Sequence, residues 1–142
     1  MDILPQTPEM VKDDWDYFAN AIKVVAHKAQ EHFTPEQVFG AAHNGDATVF
    51  HVHEDGAKRG LLVLTDHVDM YTAKTVLHVD MLYLTGPSLI GAMTELLNVI
   101  GNKYSFDQIE FRSPRKGWFK YLNDAGFKAG ATFSRRLGHG WK

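Results

Sequence analysis

Residues 47–84 constrain the fold more than any other part of the chain. Ala47 to His53 alternates, with Val49 and His51 facing one way and Phe50 and Val52 the other, the pattern of a strand. Asp55-Gly56 is a hairpin turn signal, because both residues tolerate the left-handed backbone of a two-residue turn. Gly60 to Thr65 is an apolar run rich in Val and Leu, expected of a buried strand, and polar Asp66 to Lys74 reads as the next turn. Thr75 to Leu84 alternates again. Val76, His78, Asp80, Leu82 and Leu84 are expected on one face, and Leu77, Val79, Met81 and Tyr83 on the other. Three consecutive strands with short connections make an antiparallel meander.

Helix signals flank the meander. Ile3 and Leu4 form a very short extended segment stopped by Pro5. Thr7-Pro8-Glu9 then offers a cap, a proline at the first helical position and an acid at the positive end of the dipole. Met10, Val11, Trp15, Phe18, Ile22, Val25 and Ala29 recur at helical spacing, which predicts one long amphipathic helix ending near Gln30 to Phe33. Thr34 and Gln37 have capping-box spacing, so a second helix runs to about Ala42 and closes at Asn44-Gly45. Past the meander, Ser88 is placed to cap a helix from Leu89 to about Asn102 with the stripe Leu89, Ile90, Met93, Leu96, Leu97 and Ile100. Asp107 to Phe111 reads as a strand. Ser113-Pro114 opens a helix through Trp118, Phe119, Leu122 and Ala125, which Gly126 ends, and Phe127 to Leu137 is a last strand. Residues 138–142 read as a tail of a single domain covering 1–142. The order is β-α-α-β-β-β-α-β-α-β: an α/β (α+β) fold with a mixed, mostly antiparallel sheet and helices on both faces.

Composition narrows the chemistry. The 142 residues contain no cysteine, which removes disulfides, thiolate metal sites and a cysteine nucleophile. A formal net charge of -2 lacks the basic excess of a nucleic-acid binder, so no nucleic acid is expected as a partner. Charge is unevenly spread, with Asp13, Asp14 and Asp16 early and Arg112, Arg115, Lys116, Lys120, Arg135 and Arg136 late. The basic half suits an anionic ligand or an acidic partner, and equally a solvated face. No apolar run reaches membrane-spanning length and the start is unlike a signal peptide, so no membrane is expected and the protein reads as soluble and cytoplasmic.

The order of elements resembles the Gcn5-related N-acetyltransferase superfamily, over nearly the whole chain. The opening Ile3-Leu4-Pro5 with Thr7-Pro8-Glu9 is similar to the family's first strand and helix entry. Glu54-Asp55-Gly56 before Gly60-Leu61-Leu62-Val63 resembles its second and third strands. Leu82 to Ala92 occupies the place of its acetyl-CoA pyrophosphate loop, and Leu122-Asn123-Asp124-Ala125-Gly126-Phe127 resembles its closing helix and Gly-Phe step. The resemblance implies acetyl-CoA as co-substrate and direct transfer of the acetyl group to an amine, small-molecule or protein. Gly86-Pro87-Ser88-Leu89-Ile90-Gly91 would gather backbone amides around the pyrophosphate at a helix N-terminus. Only the last glycine of the family's Gln/Arg-x-x-Gly-x-Gly/Ala pattern is kept: Leu89 stands for a glycine and Gly86 for the long polar residue. A bulge in the preceding strand would expose amides to the pantetheine, at Leu82 and Leu84.

For the base, the resemblance points into the meander, where Asp80 is the first candidate and His78 the second. Their other reading is the solvated or hydrogen-bonded side of the strand. The family's acid is a tyrosine at the position of Leu122, and Tyr121 serves only if the helix is shifted, because one residue turns the side chain by about 100°. Ser113 replaces a common asparagine, and Arg115 and Lys116 beside Trp118 can grip an anion such as the 3'-phosphate of coenzyme A, or dock a partner chain.

His51-Val52-His53 puts two imidazoles on one strand face, but zinc takes three or more protein ligands and nothing fixes a third, so no metal is expected. The Pro-Arg-Lys-Gly-Trp entry at Pro114 is also similar to that of short acetyltransferase-like proteins of tailed bacteriophages, some resembling internal virion components. That likeness implies a non-catalytic module with virion protein partners. The family's seventh strand is missing after Leu137, which implies a strand borrowed within a homo-oligomer or absent.

Overall fold

A computed structural model describes residues 1–112 and the strand 132–136. The helix expected from Ser113, the residues Ser113, Arg115, Lys116, Tyr121 and Leu122, and the tail lie outside the described residues.

The strands are β1 (Asp2–Gln6), β2 (Thr48–Glu54), β3 (Ala57–Val68), β4 (Thr75–Leu84), β5 (Gln108–Arg112) and β6 (Thr132–Arg136). They form one sheet in the order β1-β2-β3-β4-β5-β6. Every neighbouring pair is antiparallel except β4–β5, which is parallel. The meander is therefore the centre of a mixed, mostly antiparallel sheet. Asp55 and Gly56 take φ of 52° and 78°, the backbone a two-residue hairpin turn requires.

Helices cover both faces. On one side lie α1 (Pro8–Asp13), α2 (Trp15–Ala29) and α3 (Pro35–His43). Val11, Phe18, Ala21, Ile22 and Val38 of these helices close over Val49, Leu61, Val63 and Met81. On the other side α4 (Leu89–Lys103) lays Ala92, Met93, Leu96, Leu97 and Ile100 on Phe50, Val52, Leu62, Leu64, Leu77, Val79, Leu84, Ile109 and Phe111. The alternation expected in β2 is thus the boundary between two cores. Thr7 caps α1 through the Met10 amide at 3.2 Å. Thr34 and Gln37 close both arms of the capping box at 3.2 and 2.9 Å.

The structure corrects four local readings. First, the single helix expected from Pro8 breaks at Asp14, whose φ/ψ of -118°/39° is not helical. The Asp14 carboxylate makes no cap; it is held 2.6 Å from Lys58 Nζ on β3. The apolar spacing hides the break because both helices face the same core. Second, Pro5 does not stop β1. It pairs with Phe50 on the outermost strand, where a missing N–H costs no ladder bond if it points away from the sheet. Third, β3 runs on to Val68, with Asp66, His67 and Val68 paired to Leu77, Val76 and Thr75. The turn shrinks to 69–74, fastened by the Asp69 carboxylate, which accepts from the Tyr71 and Thr72 amides at 2.9 Å. Fourth, β4 does not keep one alternation from end to end. Leu77 and Val79 pack toward α4, but Met81 packs toward α2, and Leu82 and Leu84 return to the α4 side.

Candidate functional site

The switch of faces in β4 has a single cause. Val63 pairs with Met81 and Leu64 with Val79, so Asp80 is an extra residue bulged out of the β3–β4 ladder. Directly beyond it, the described β4–β5 pairing ends. Their parallel pairing runs from Val76–Gln108 to Val79–Phe111, and Met81 to Leu84 have no β5 partner among the described residues. The second half of β4 thus carries no β5 pairing among the described residues. Leu82 and Leu84, expected to border the pantetheine, lie on this segment; Leu82 is partly buried and Leu84 buried.

The strand leads into the turn before α4. Gly86 has φ 93° and Ser88 is left-handed at φ 57°, ψ 51°. The expected hydroxyl cap is not made, because Ser88 makes no side-chain cap bond. The first helical bond runs from the Ala92 amide to the Ser88 carbonyl at 2.9 Å. The amides of Leu89, Ile90 and Gly91 therefore precede the first intrahelical acceptor. No acid occupies the first turn, so nothing there cancels the positive end of the dipole. Gly86, Ser88, Ile90 and Gly91 are exposed, and Leu89 is partly so. Helix N-terminal amides with an open approach suit a phosphate.

Arg59 holds this turn from the neighbouring strand. Val52 pairs with Gly60 and His53 with Lys58, so Arg59 is itself the extra residue of a second bulge. Its Nε donates to the Thr85 carbonyl and Nη2 to the Pro87 carbonyl, each at 2.7 Å; Nη1 donates to Glu54 Oε1 at 2.6 Å. The Thr85 amide returns a bond to the Arg59 carbonyl at 2.7 Å.

Asp80 belongs to a compact polar group on the sheet face opposite Leu77 and Val79. His78 lies between two carboxylates, Nε2 at 3.2 Å from Asp80 Oδ1 and Nδ1 at 2.8 Å from Glu110 Oε2. Thr65 Oγ1 donates to Asp80 Oδ1 at 3.4 Å. The side chains are only 12–20% exposed, so these contacts are little screened by water. A neutral imidazole donates from one nitrogen only; both carboxylates accept from the ring only when it is doubly protonated, and otherwise a protonated carboxyl donates to the bare ring nitrogen. The three groups thus form a continuous polar chain ending at the bulge.

A second polar cluster joins α1 and α2 to the sheet. Lys58 Nζ sits 4.1 Å from the Tyr17 ring centroid besides its bond to Asp14, and the Tyr17 ring meets those of His51 and Tyr83 edge-on at 5.6 and 6.3 Å. Burial, then Tyr83 and Asp14, push the Tyr17 phenol up to about 12, so it stays neutral. His51 lies 8% exposed, and burial followed by the Lys58 charge lowers its pKa. The opposing pull of Asp14 is weaker, since its oxygen is 4.0 Å from His51 but 2.6 Å from Lys58. His53 stacks on His51 at 6.2 Å, and no group of three or more His, Asp or Glu side chains among the described residues is arranged to hold a metal.

No protein-family profile and no curated protein matches this sequence. Solved structures do match in shape. Gcn5 from Tetrahymena superposes with a TM-score of 0.66 at 10% identity, covering 97% of this chain and 97% of that one. The chain has the Gcn5-related N-acetyltransferase fold. Two further likenesses agree. The ribosomal-protein-alanine N-acetyltransferase of Brucella melitensis has a TM-score of 0.61 at 17% identity, over 92% of this chain and 94% of that one. A predicted acetyltransferase from Clostridium acetobutylicum, solved with acetyl-CoA, has a TM-score of 0.61 at 10% identity, over 91% and 90%.

Within this acetyltransferase fold, the structure gathers Asp80 with His78, and Leu82 and Leu84 with Gly86, Ser88, Leu89, Ile90 and Gly91 along one continuous path. Three polar partners were not foreseen. Glu110 alternates with Ile109 and Phe111, which marks it as facing away from the α4 core, but its strand partner is 32 residues distant. Arg59 carries no local signal, because the carbonyls it holds are 26 and 28 residues away, and the role of Glu54 follows only from Arg59, five residues on.

Proposed function

We propose that the chain is an acetyl-CoA-dependent N-acetyltransferase acting on an amine by direct transfer. The observation that carries this reading is that the described β4–β5 pairing ends at Val79, on a strand leading straight to the uncapped N-terminus of α4. Those two features fit the two ends of the co-substrate. The amides around Gly86 to Gly91 suit the pyrophosphate, and the segment of β4 at Leu82 and Leu84 suits the amide-bearing pantetheine arm. From Asp80 to Leu84 the strand extends on the order of 13 Å, so the arm lies along β4 and the reacting end near the bulge.

Acetyl-CoA supplies an activated thioester carbonyl for the amine to attack. In this reading Asp80 takes the proton that the attacking nitrogen sheds. His78, with its Nδ1–H donated to Glu110, takes that proton at Nε2 and restores the Asp80 carboxylate. Tyr121, with Ser113, Arg115 and Lys116, is assigned here to the leaving-thiolate and nucleotide end, as the family resemblance implies. Thermal unfolding with acetyl-CoA tests the reading: binding to the native state raises the melting temperature by mass action, and no shift at millimolar ligand would sink it.

A second reading has one observation in its favour. Val68, Met70 and Tyr71, at the tip of the β3–β4 hairpin, are 63, 82 and 90% exposed. Apolar side chains displayed this way suit a module used for protein contacts, such as a virion component, with no transfer chemistry. Absent stabilisation by acetyl-CoA, together with unchanged melting on Tyr71→Ser, would favour it.

A further inference from the structure

We propose that Arg59 is a positioning residue for the anion-binding turn: its guanidinium draws two carbonyls to one side and thereby aims the turn's amides at the phosphates. This rests on the acetyl-CoA reading above, and it assigns a role to a residue outside the loop itself.

The argument starts from the planarity of the peptide group. In a trans peptide the C=O and the following N–H point in opposite directions, and no cis bond is present among the described residues. The Thr85 carbonyl points at Arg59 Nε, so the Gly86 amide points away from it. The Pro87 carbonyl points at Nη2, so the Ser88 amide also points away. One planar fork therefore orients two donors on the same side of the turn. These join the amides of Leu89, Ile90 and Gly91, which have no acceptor within α4. Successive amides made convergent by a left-handed residue form an anion-binding concavity, and Ser88 supplies that conformation.

The surroundings are shaped for this clasp. A Cβ on Gly86 would lie 3.1 Å from Arg59 Nε, and Gly86 has φ 93°, so glycine both makes the turn and leaves room for the guanidinium. The β3 bulge frees Arg59 from the ladder. The Thr85 hydroxyl and amide both donate to the Arg59 carbonyl, at 3.1 and 2.7 Å, so strand and turn are fastened in both directions. Glu54 takes the remaining nitrogen and balances the charge, which leaves the fork acting by geometry more than by net charge. Lysine cannot replace it, because one ammonium cannot reach three acceptors from three separate nitrogens.

The test compares Arg59→Ala and Arg59→Lys with the wild type, titrated by calorimetry with coenzyme A and with pantetheine, which has the arm but no pyrophosphate. Both variants are expected to lose affinity for coenzyme A, by about tenfold or more for alanine, and to keep it for pantetheine. Equal affinity for coenzyme A, or an equal loss for both ligands, overturns the proposal. Amide hydrogen exchange at Thr85, whose amide is bonded to the Arg59 carbonyl, gives a ligand-independent measure in the free proteins. Faster exchange there in the variants supports the clasp, and unchanged exchange overturns it. If the wild type binds no coenzyme A, the acetyl-CoA reading fails while exchange still judges the clasp. If the alanine variant does not fold, the lysine variant carries both measurements.

Discussion

The two bulges of the central sheet invite comparison. One inserts Arg59 into β3, the other Asp80 into β4, and each puts a charged residue where regular alternation has no place for it. Arg59 turns outward along the sheet to a loop; Asp80 stays on the sheet face with His78. Both are surplus to the hydrophobic pattern. Without Asp80, Leu77, Val79, Leu82 and Leu84 would fall on one face and Met81 and Tyr83 on the other, the arrangement the two cores already have. Without Arg59, Lys58 and Gly60 alternate in register with His53 and Val52. The fold tolerates these insertions, and the candidate site is built from them.

The largest effect expected is on catalysis. Asp80→Asn keeps the bulge and removes the base, so acetyl transfer should fall by roughly 10²–10⁴-fold with acetyl-CoA affinity retained, measured by steady-state rates and calorimetry. Unchanged turnover would remove Asp80 as the base. Deleting Asp80 sharpens the contrast between chemistry and shape. The deletion variant should still melt cooperatively, since its apolar faces stay correct, but lose stabilisation by acetyl-CoA because β4 straightens toward β5. A variant that still responds to acetyl-CoA would show that the bulge does not shape the site.

Next in size is Gly60, beside the Arg59 bulge. A Cβ there would fall on the Tyr83 carbonyl, a backbone atom in the paired strand. Gly60→Ala should cost about 1–3 kcal/mol by forcing β3 from β4, read as a lower urea midpoint. A midpoint equal to wild type would mean that the strands separate freely at this point.

The smallest effect concerns pH. The folded-state pKa of His51 is lowered, by burial first and then by Lys58, so below the ordinary histidine value the unfolded chain binds more protons than the native one. Stability should therefore fall as pH drops through about 6.5 toward the lowered value, and level off beneath it. His51→Phe should flatten this part of the melting-temperature profile, and an unaltered slope would assign it to another group.

Much of the scaffold was legible. Capping signals at Thr7 and Thr34 and the Asp55-Gly56 turn act within a few residues, so sequence alone shows them. The β2 alternation is also local, and it names both cores at once. The break at Asp14 was hidden because the helices on either side keep one apolar face, and the Lys58 that holds the Asp14 carboxylate is 44 residues away. A bulge in β4 was implied by the resemblance, but its place at Asp80 was hidden, because period two counts residues and cannot reveal which one the ladder skips.

The chain by itself therefore determined the order of the strands and the mixed sheet with helices on both faces, and named the candidates Asp80, His78 and Gly86 to Gly91. Tertiary structure decided which half of β4 pairs with β5 among the described residues, that His78 lies between Asp80 and Glu110, and that Arg59 bonds the turn. The physical reason is range. Caps, turns and apolar periods are satisfied by near neighbours, whereas a ladder's register, and the charges it brings together, is set only when distant strands pair.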